Sequence, residues 1–264
     1  MTQEYKEKFP YLDFLLLMTK KDLNVSSKRS FLSLVWEIST PIIKAFILSF
    51  ILSFMLVSKD NNYFLFILSG LISWSFFAKF IKSSAIILVD EQNLIKKAVF
   101  PRELLLIKTL IVSFIPYFIT SLLILLFVSF SSVNFGVAFA YFIKSFFLFS
   151  VLSIFLAFFS LAVALFFSIL VARVKKFMVV IDFIIQLSFF MVPIFYARDL
   201  LPNNLAGILS LNPLFQFIEM FRSIFLDLGM SFQEYLINGL FSILFLVFSL
   251  DFFRKQSKKV DDWL

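Results

Sequence analysis

The sequence predicts an all-α integral membrane protein: six transmembrane helices, an N-terminal amphipathic interfacial helix, and a re-entrant helical pair between the fifth and sixth spans. Three observations predict it. Of 264 residues, 61% are hydrophobic and 16% charged, with a mean hydropathy of +0.98; a soluble domain is about 45–50% apolar and about 25% charged. That balance excludes a water-soluble globule, and the same apolar wealth excludes a disordered chain. The apolar residues run continuously over about twenty positions, the length a helix needs to cross roughly 30 Å of hydrocarbon. They do not alternate in ten-residue segments, as barrel strands do. Lastly, the basic residues gather in alternate connections between the runs.

The apolar runs cover 34–57, 63–89, 104–130, 137–171, 177–196 and 236–253. The fourth is too long for one upright span and is expected to tilt or to begin in the interface near Lys144. Three units follow: a cytoplasmic N-terminus with the interfacial helix (1–33), one transmembrane domain (34–253) and a cytoplasmic tail (254–264). The first stretch, 9–24, places Leu12, Leu15, Leu16 and Leu23 on one helical face, with Asp13, Lys20 and Asn24 opposite. With Tyr11 and Lys21 it reads as a helix lying in the inner headgroup layer. No cleavable leader is expected, because 11–18 is short and interrupted by Asp13.

Orientation follows from Lys and Arg. Lys6, Lys8, Lys20, Lys21, Lys28 and Arg29 precede the first span. Lys96, Lys97, Arg102 and Lys108 fall between the second and third, Arg173, Lys175 and Lys176 between the fourth and fifth, and Arg254, Lys255, Lys258 and Lys259 in the tail. The opposite loops hold Lys59, Arg198 and Arg222. This places both termini in the cytoplasm. The net charge of +7 needs no nucleic acid, since such loops face anionic lipid headgroups.

Two connections are more than linkers. Between the second and third spans, 90–103 reads DEQNLIKKAVFPRE, a short charged helix with an apolar stripe of Leu94, Ile95, Ala98 and Val99, ended by Pro101. Apolar teeth with basic flanks suit docking into a groove on a partner. Between the fifth and sixth spans, 197–229 holds two apolar stretches too short to cross, broken by Pro202, Gly207 and Pro213. The flanking spans run in opposite directions, so this segment starts and finishes on the outer side; two short helices that dip in and line a protein-covered or watery cavity are expected, a pair of amphipathic helices on the surface being the alternative. Glu37, Lys44, Lys79, Lys82, Lys144 and Asp182 lie within spans, where charge is costly and faces a bundle interior or cavity. Lys44, Lys79 and Lys82 are candidates for an anionic, phosphate-bearing substrate. Snorkelling to headgroups is the competing reading.

Several chemistries are excluded. No Cys and no His occur, which removes disulfides, thiolate nucleophiles and the commonest metal ligands. The five glycines, at 70, 136, 207, 229 and 239, form neither a P-loop nor a dinucleotide fingerprint.

Read in order, certain residues resemble a family. They are Lys21-Asp22-Leu23, then Ser30 and Trp36 with Pro41 entering the first span, Gly70-Leu71-Ile72-Ser73-Trp74-Ser75-Phe76-Phe77, and Asn93-Leu94-Ile95-Lys96-Lys97-Ala98-Val99-Phe100-Pro101-Arg102-Glu103. Pro193-Ile194-Phe195-Tyr196, Leu201-Pro202, Leu211-Asn212-Pro213-Leu214 and Phe221-Arg222 complete the series. The chain is similar, over about 11–253, to the permease subunits of type-2 ABC exporters of O-antigen, teichoic acid and capsular polysaccharide. It departs from that pattern at Ser26-Ser27, at Ser33, and at Lys175-Lys176, where an Arg-Asp pair is common.

The resemblance implies a homodimer bound to two copies of a separate ABC ATPase that holds the ATP and Mg, moving a lipid-linked glycan. It assigns the ATPase coupling to Asn93, Leu94, Ile95, Lys96, Lys97, Phe100, Pro101 and Arg102, and the re-entrant segment to Pro202, Asn212, Pro213 and Arg222. It has the first and fifth spans line the channel, where Trp36, Phe195 and Tyr196 would offer flat faces to sugars and Lys79 and Lys82 would meet charge. Three readings compete. A type-2 ABC exporter of a drug or lipid shares the topology. A secondary transporter or channel would use Asp182 or the lysines. A membrane enzyme would need paired acids, for which Asp90-Glu91 and Asp261-Asp262 are the only neighbours to offer.

Overall fold

The computed structural model describes residues 10–28, 31–55, 63–130, 135–226, 228 and 232–260. Lys6, Lys8, Arg29, Ser30, Lys59, Gly229 and Asp261-Asp262 lie outside these residues. The described chain is helical, with no strand among the described residues. In order come α1 (Pro10–Lys28), α2 (Phe31–Met55), α3 (Tyr63–Asp90), α4 (Gln92–Lys97), α5 (Glu103–Phe130), α6 (Phe135–Arg173), α7 (Phe177–Met191), α8 (Asn203–Ser210), α9 (Pro213–Leu226) and α10 (Phe232–Ser257); a 3-10 turn at Arg198–Leu200 precedes α8.

Five helices, α2, α3, α5, α6 and α10, are long and apolar enough to cross a membrane. The expected fifth span, 177–196, is helical only as α7, whose 15 residues reach about 22 Å. Pro193 is the reason. It pushes the residue before it out of the helical region, and Val192 is extended at φ −102°, ψ 149°. The remainder, Val192–Ala197, is irregular but keeps its apolar character, with Val192 and Ile194 fully buried. The expected length of the fourth run holds: α6 has 39 residues, about 58 Å, so a hydrocarbon layer of roughly 30 Å covers only part of it. The two short helices foreseen between the last spans are α8 and α9.

The core is built around α3 and α6. Of the apolar span on α3, 67% is buried, and 61% on α6, against 11% on α2. Helix α3 touches α2, α5, α6, α7 and α9. Small residues let them approach, since packing between spans depends on close backbone contact. Ser69, Ser73 and Ser84 of α3 are buried, and Gly70 sits where a Cβ would stand 3.1 Å from Ile218 of α9. On α10, a Cβ at Gly239 would stand 2.6 Å from the Phe155 ring of α6. Several buried serines return their hydroxyls to their own helices, as Ser160 to the Leu156 carbonyl (2.7 Å) and Ser242 to that of Asn238 (2.7 Å), while Ser153 of α6 meets the Tyr117 hydroxyl of α5 at 3.1 Å. Rings fill the centre: Phe76 stacks on Tyr117 at 4.7 Å, and Phe149 joins Phe221 at 5.8 Å.

Candidate functional site

Helix α2 supplies one wall of a groove with Trp36, Glu37, Thr40 and Lys44, α3 a second with Trp74, Ser75, Lys79 and Lys82, and α5 the floor with Ser113, Pro116, Tyr117 and Thr120. The groove holds about 470 Å³. Pro41 and Pro116 each remove a backbone donor from their helices, and Thr40 and Thr120 bond the carbonyls of Trp36 (2.7 Å) and Pro116 (2.8 Å) beside those breaks. Trp36, Lys79 and Lys82 are thereby brought together in one groove. The lysines are not bare: Lys79 pairs with Glu37, and Lys82 with Asp182 of α7 at 2.9 Å. Glu37 and Asp182, two of the charges within spans, are the counter-charges of these lysines. Lys44 differs. It is the tenth residue of the span Val35–Phe54, about 15 Å from either end, it is exposed, and it has no ion-pair partner among the described residues.

Phe195 and Tyr196 are not in this groove. They sit in the irregular turn after α7 and reach the groove only through a relay of rings, Trp74 to Phe189 (4.8 Å), Phe189 to Phe195 (5.8 Å) and Phe195 to Tyr196 (5.3 Å). Trp74 also donates its indole N–H to the Ser188 hydroxyl at 3.3 Å.

The elbow between α3 and α5 is α4 followed by an extended Ala98 and the Phe100-Pro101-Arg102-Glu103 turn. Its apolar stripe divides, which corrects the expectation of one continuous docking face. Ile95 is buried and Leu94 half-buried against the protein's own bundle, because a six-residue helix must seat one face on the spans it joins. Ala98 remains exposed with Asn93, Lys96 and Lys97, and Val99 is fully exposed at 103%. Phe100 turns back to meet Phe14 of α1 at 4.9 Å. Arg102 and Pro101 are half-buried, and Glu103 accepts from Arg254 Nε of α10 at 3.0 Å.

Helix α1 runs four residues past the end of the expected stretch, 9–24, and packs on α5 and α2. Its leucines do not share one fate. Phe14, Leu15 and Met18 are half-buried toward the bundle with Thr19 buried, while Tyr11, Leu12, Leu16, Leu17, Lys20 and Lys21 face outward.

In the segment after α7, Asn212 and Pro213 have a local explanation. The Asn212 carboxamide oxygen accepts from the Leu214 N–H at 3.0 Å, capping α9, and Pro213 occupies the first helical position, where no N–H is needed. Pro202 is exposed at the start of α8. Arg222, expected in an outer loop, is 4% exposed. Its guanidinium donates to the carbonyls of Pro193 and, at 3.4 Å, Ile194, and lies 3.5 Å over the Phe66 ring. Glu219, one turn earlier, faces Arg198 at 3.7 Å in a second cavity of about 260 Å³. Burial pushes its carboxyl above the usual range against the pull of Arg198 and Arg222.

One charged residue was miscounted from sequence. Lys108, assigned to a loop, is 3% exposed on α5 and bonds Asp22 of α1 at 2.9 Å and Glu91 of the elbow at 3.0 Å. Its place one turn inside an apolar run was the available sign. Among the described residues no cluster of three or more acids could hold a metal ion.

A family model described as ABC-2 type transporter matches residues 14–226. Two O-antigen export system permease proteins RfbA of Klebsiella pneumoniae are 27% identical, one over 256 residues (97% of this chain, 96% of theirs), the other over 237 residues (89% of each). One of Myxococcus xanthus is 23% identical over 232 residues, 86% of this chain and 85% of its own.

Proposed function

The chain belongs to the ABC-2 type transporter family, and from that premise we propose that it is the permease subunit of an ATP-driven exporter that moves a lipid-linked polysaccharide or polyol-phosphate polymer out across the cytoplasmic membrane. Similarity over nearly the whole length to O-antigen export permeases supports that substrate class. Both termini and the elbow face the cytoplasm in this reading, following the basic residues. The chain has no nucleotide motif of its own, so ATP and Mg are held by a separate ATPase subunit, one for each of two permease copies.

The elbow carries the proposal. An isolated, wholly exposed valine on a basic turn between two core spans is a tooth without a socket in its own chain. Seated in a groove on the ATPase, Ala98 and Val99 transmit its movement to α3 and α5. ATP binding differs in strength between two conformations, and that difference is the free energy available. The sparsely buried α2 and the polar groove beside it face a second copy, which closes a channel too wide for one bundle of six helices.

Val99→Asp, and reversal of Lys96 and Lys97 to Glu, test the elbow. Both are expected to abolish export and weaken co-purification of the ATPase while leaving the permease folded. Leu94→Asp is the wrong probe, since Leu94 packs inward. Full export and a stable complex with Val99→Asp would refute the docking role.

A further inference from the structure

We propose that Lys108 is a clasp that makes the interfacial helix α1 and the elbow one moving body, so that the motor moves α1 and the spans joined by the elbow in a single stroke. The inference rests on the exporter reading above.

Three features carry it. Lys108 is almost wholly buried, yet its ammonium is aimed at carboxylates from two different elements, Asp22 of α1 and Glu91 where α3 meets the elbow, at 2.9 and 3.0 Å. A buried cation needs such partners, and breaking one leaves charge uncompensated. The pairs are bridged, not parallel: Lys108 of α5 belongs to neither α1 nor the elbow and bonds a carboxylate from each side. A second contact repeats the connection, Phe14 of α1 against Phe100 of the elbow at 4.9 Å. Two contacts at separate points of α1 fix its direction as well as its position. A helix held so cannot stay still when the elbow shifts.

This assigns α1 a mechanical role. Its outward face keeps Leu12, Leu16 and Leu17 exposed beside Lys20 and Lys21, suited to acyl chains and headgroups. Lys108 is a positioning residue: it touches no substrate and acts through Asp22 and Glu91.

The test uses the full chain. It has no cysteine, so spin labels at Lys20→Cys and Val99→Cys report the separation of α1 from the elbow without further changes. In the chain alone the clasp predicts one narrow distance distribution, broadened by Asp22→Asn. With the ATPase bound, Asp22→Asn is expected to lower export per ATP hydrolysed by roughly 5–150-fold, the span of typical coupling energies. Lys108→Arg keeps both pairs and is expected to retain coupling. A lower melting temperature for Asp22→Asn with export per ATP unchanged would make the clasp merely structural and overturn the proposal, as would an unaltered label distribution. Absence of ATP-dependent export by the unsubstituted complex would instead refute the exporter reading, and the labels on the isolated chain would still decide the clasp.

Discussion

Replacing Arg222 by Met removes a buried guanidinium while nearly keeping its volume. The carbonyls of Pro193 and Ile194 belong to a turn that is not helical, and its own backbone bond, from the Ile194 N–H to the Val192 carbonyl, satisfies neither of them. Leaving each without a partner costs about 1–3 kcal/mol, and loss of the contact over Phe66 about 1 kcal/mol more. Relief from desolvating the charge offsets part of this, so the net loss is about 2–4 kcal/mol. For a chain of this length that is a melting shift of roughly 4–12 °C, readable by scanning fluorimetry in detergent. Arg222→Lys keeps the charge but not the planar fork, and is expected to lose about half as much. Gly70 lies against the same group, with a built Cβ 3.5 Å from Arg222 Nη2, so α3 and α9 should loosen together. A Met variant that melts with the parent, or above it, would refute the view that Arg222 ties α9 to the turn after α7.

Two further outcomes follow from the packing and the groove. Gly239→Leu should destabilise by about 1–3 kcal/mol through collision with Phe155, and Phe155→Ala in the same chain should recover part of the loss; thermal melts of the parent and the two variants check both. Lys44→Leu should leave folding and assembly intact yet reduce export by roughly 10–100-fold, the worth of one lost charge-assisted bond to an anionic group, with Lys44→Arg close to normal. Unchanged export by the leucine variant, measured in reconstituted vesicles, would remove Lys44 from the path.

The spans were legible because their apolar runs are continuous and long, and four of the expected six agree with helices to within a few residues at most ends. The end of α7 was not, because hydropathy continues through Val192 and Ile194 after Pro193 has already broken the helix. The groove was partly legible: Lys79 and Lys82 lie one turn apart on α3 and had to share a face. Their acidic partners come from α2 and α7, and only the packing of three helices shows the pairing. The buried Lys108 and Arg222 were not legible, because a charge in or beside a connection between spans reads as solvated. Each is paired by elements distant in sequence. The elbow's stripe was correctly seen as apolar, but a periodicity cannot say which of two neighbours claims it; Ile95 went to the chain's own spans and Val99 did not.

The central claim is that this chain is a conduit moved by a separate ATPase. Outward movement of a labelled lipid-linked glycan across vesicles tests it most directly, measured for the chain alone and for the chain with its ATPase and ATP–Mg. The account predicts transport only in the second case. Transport by the chain alone would contradict it.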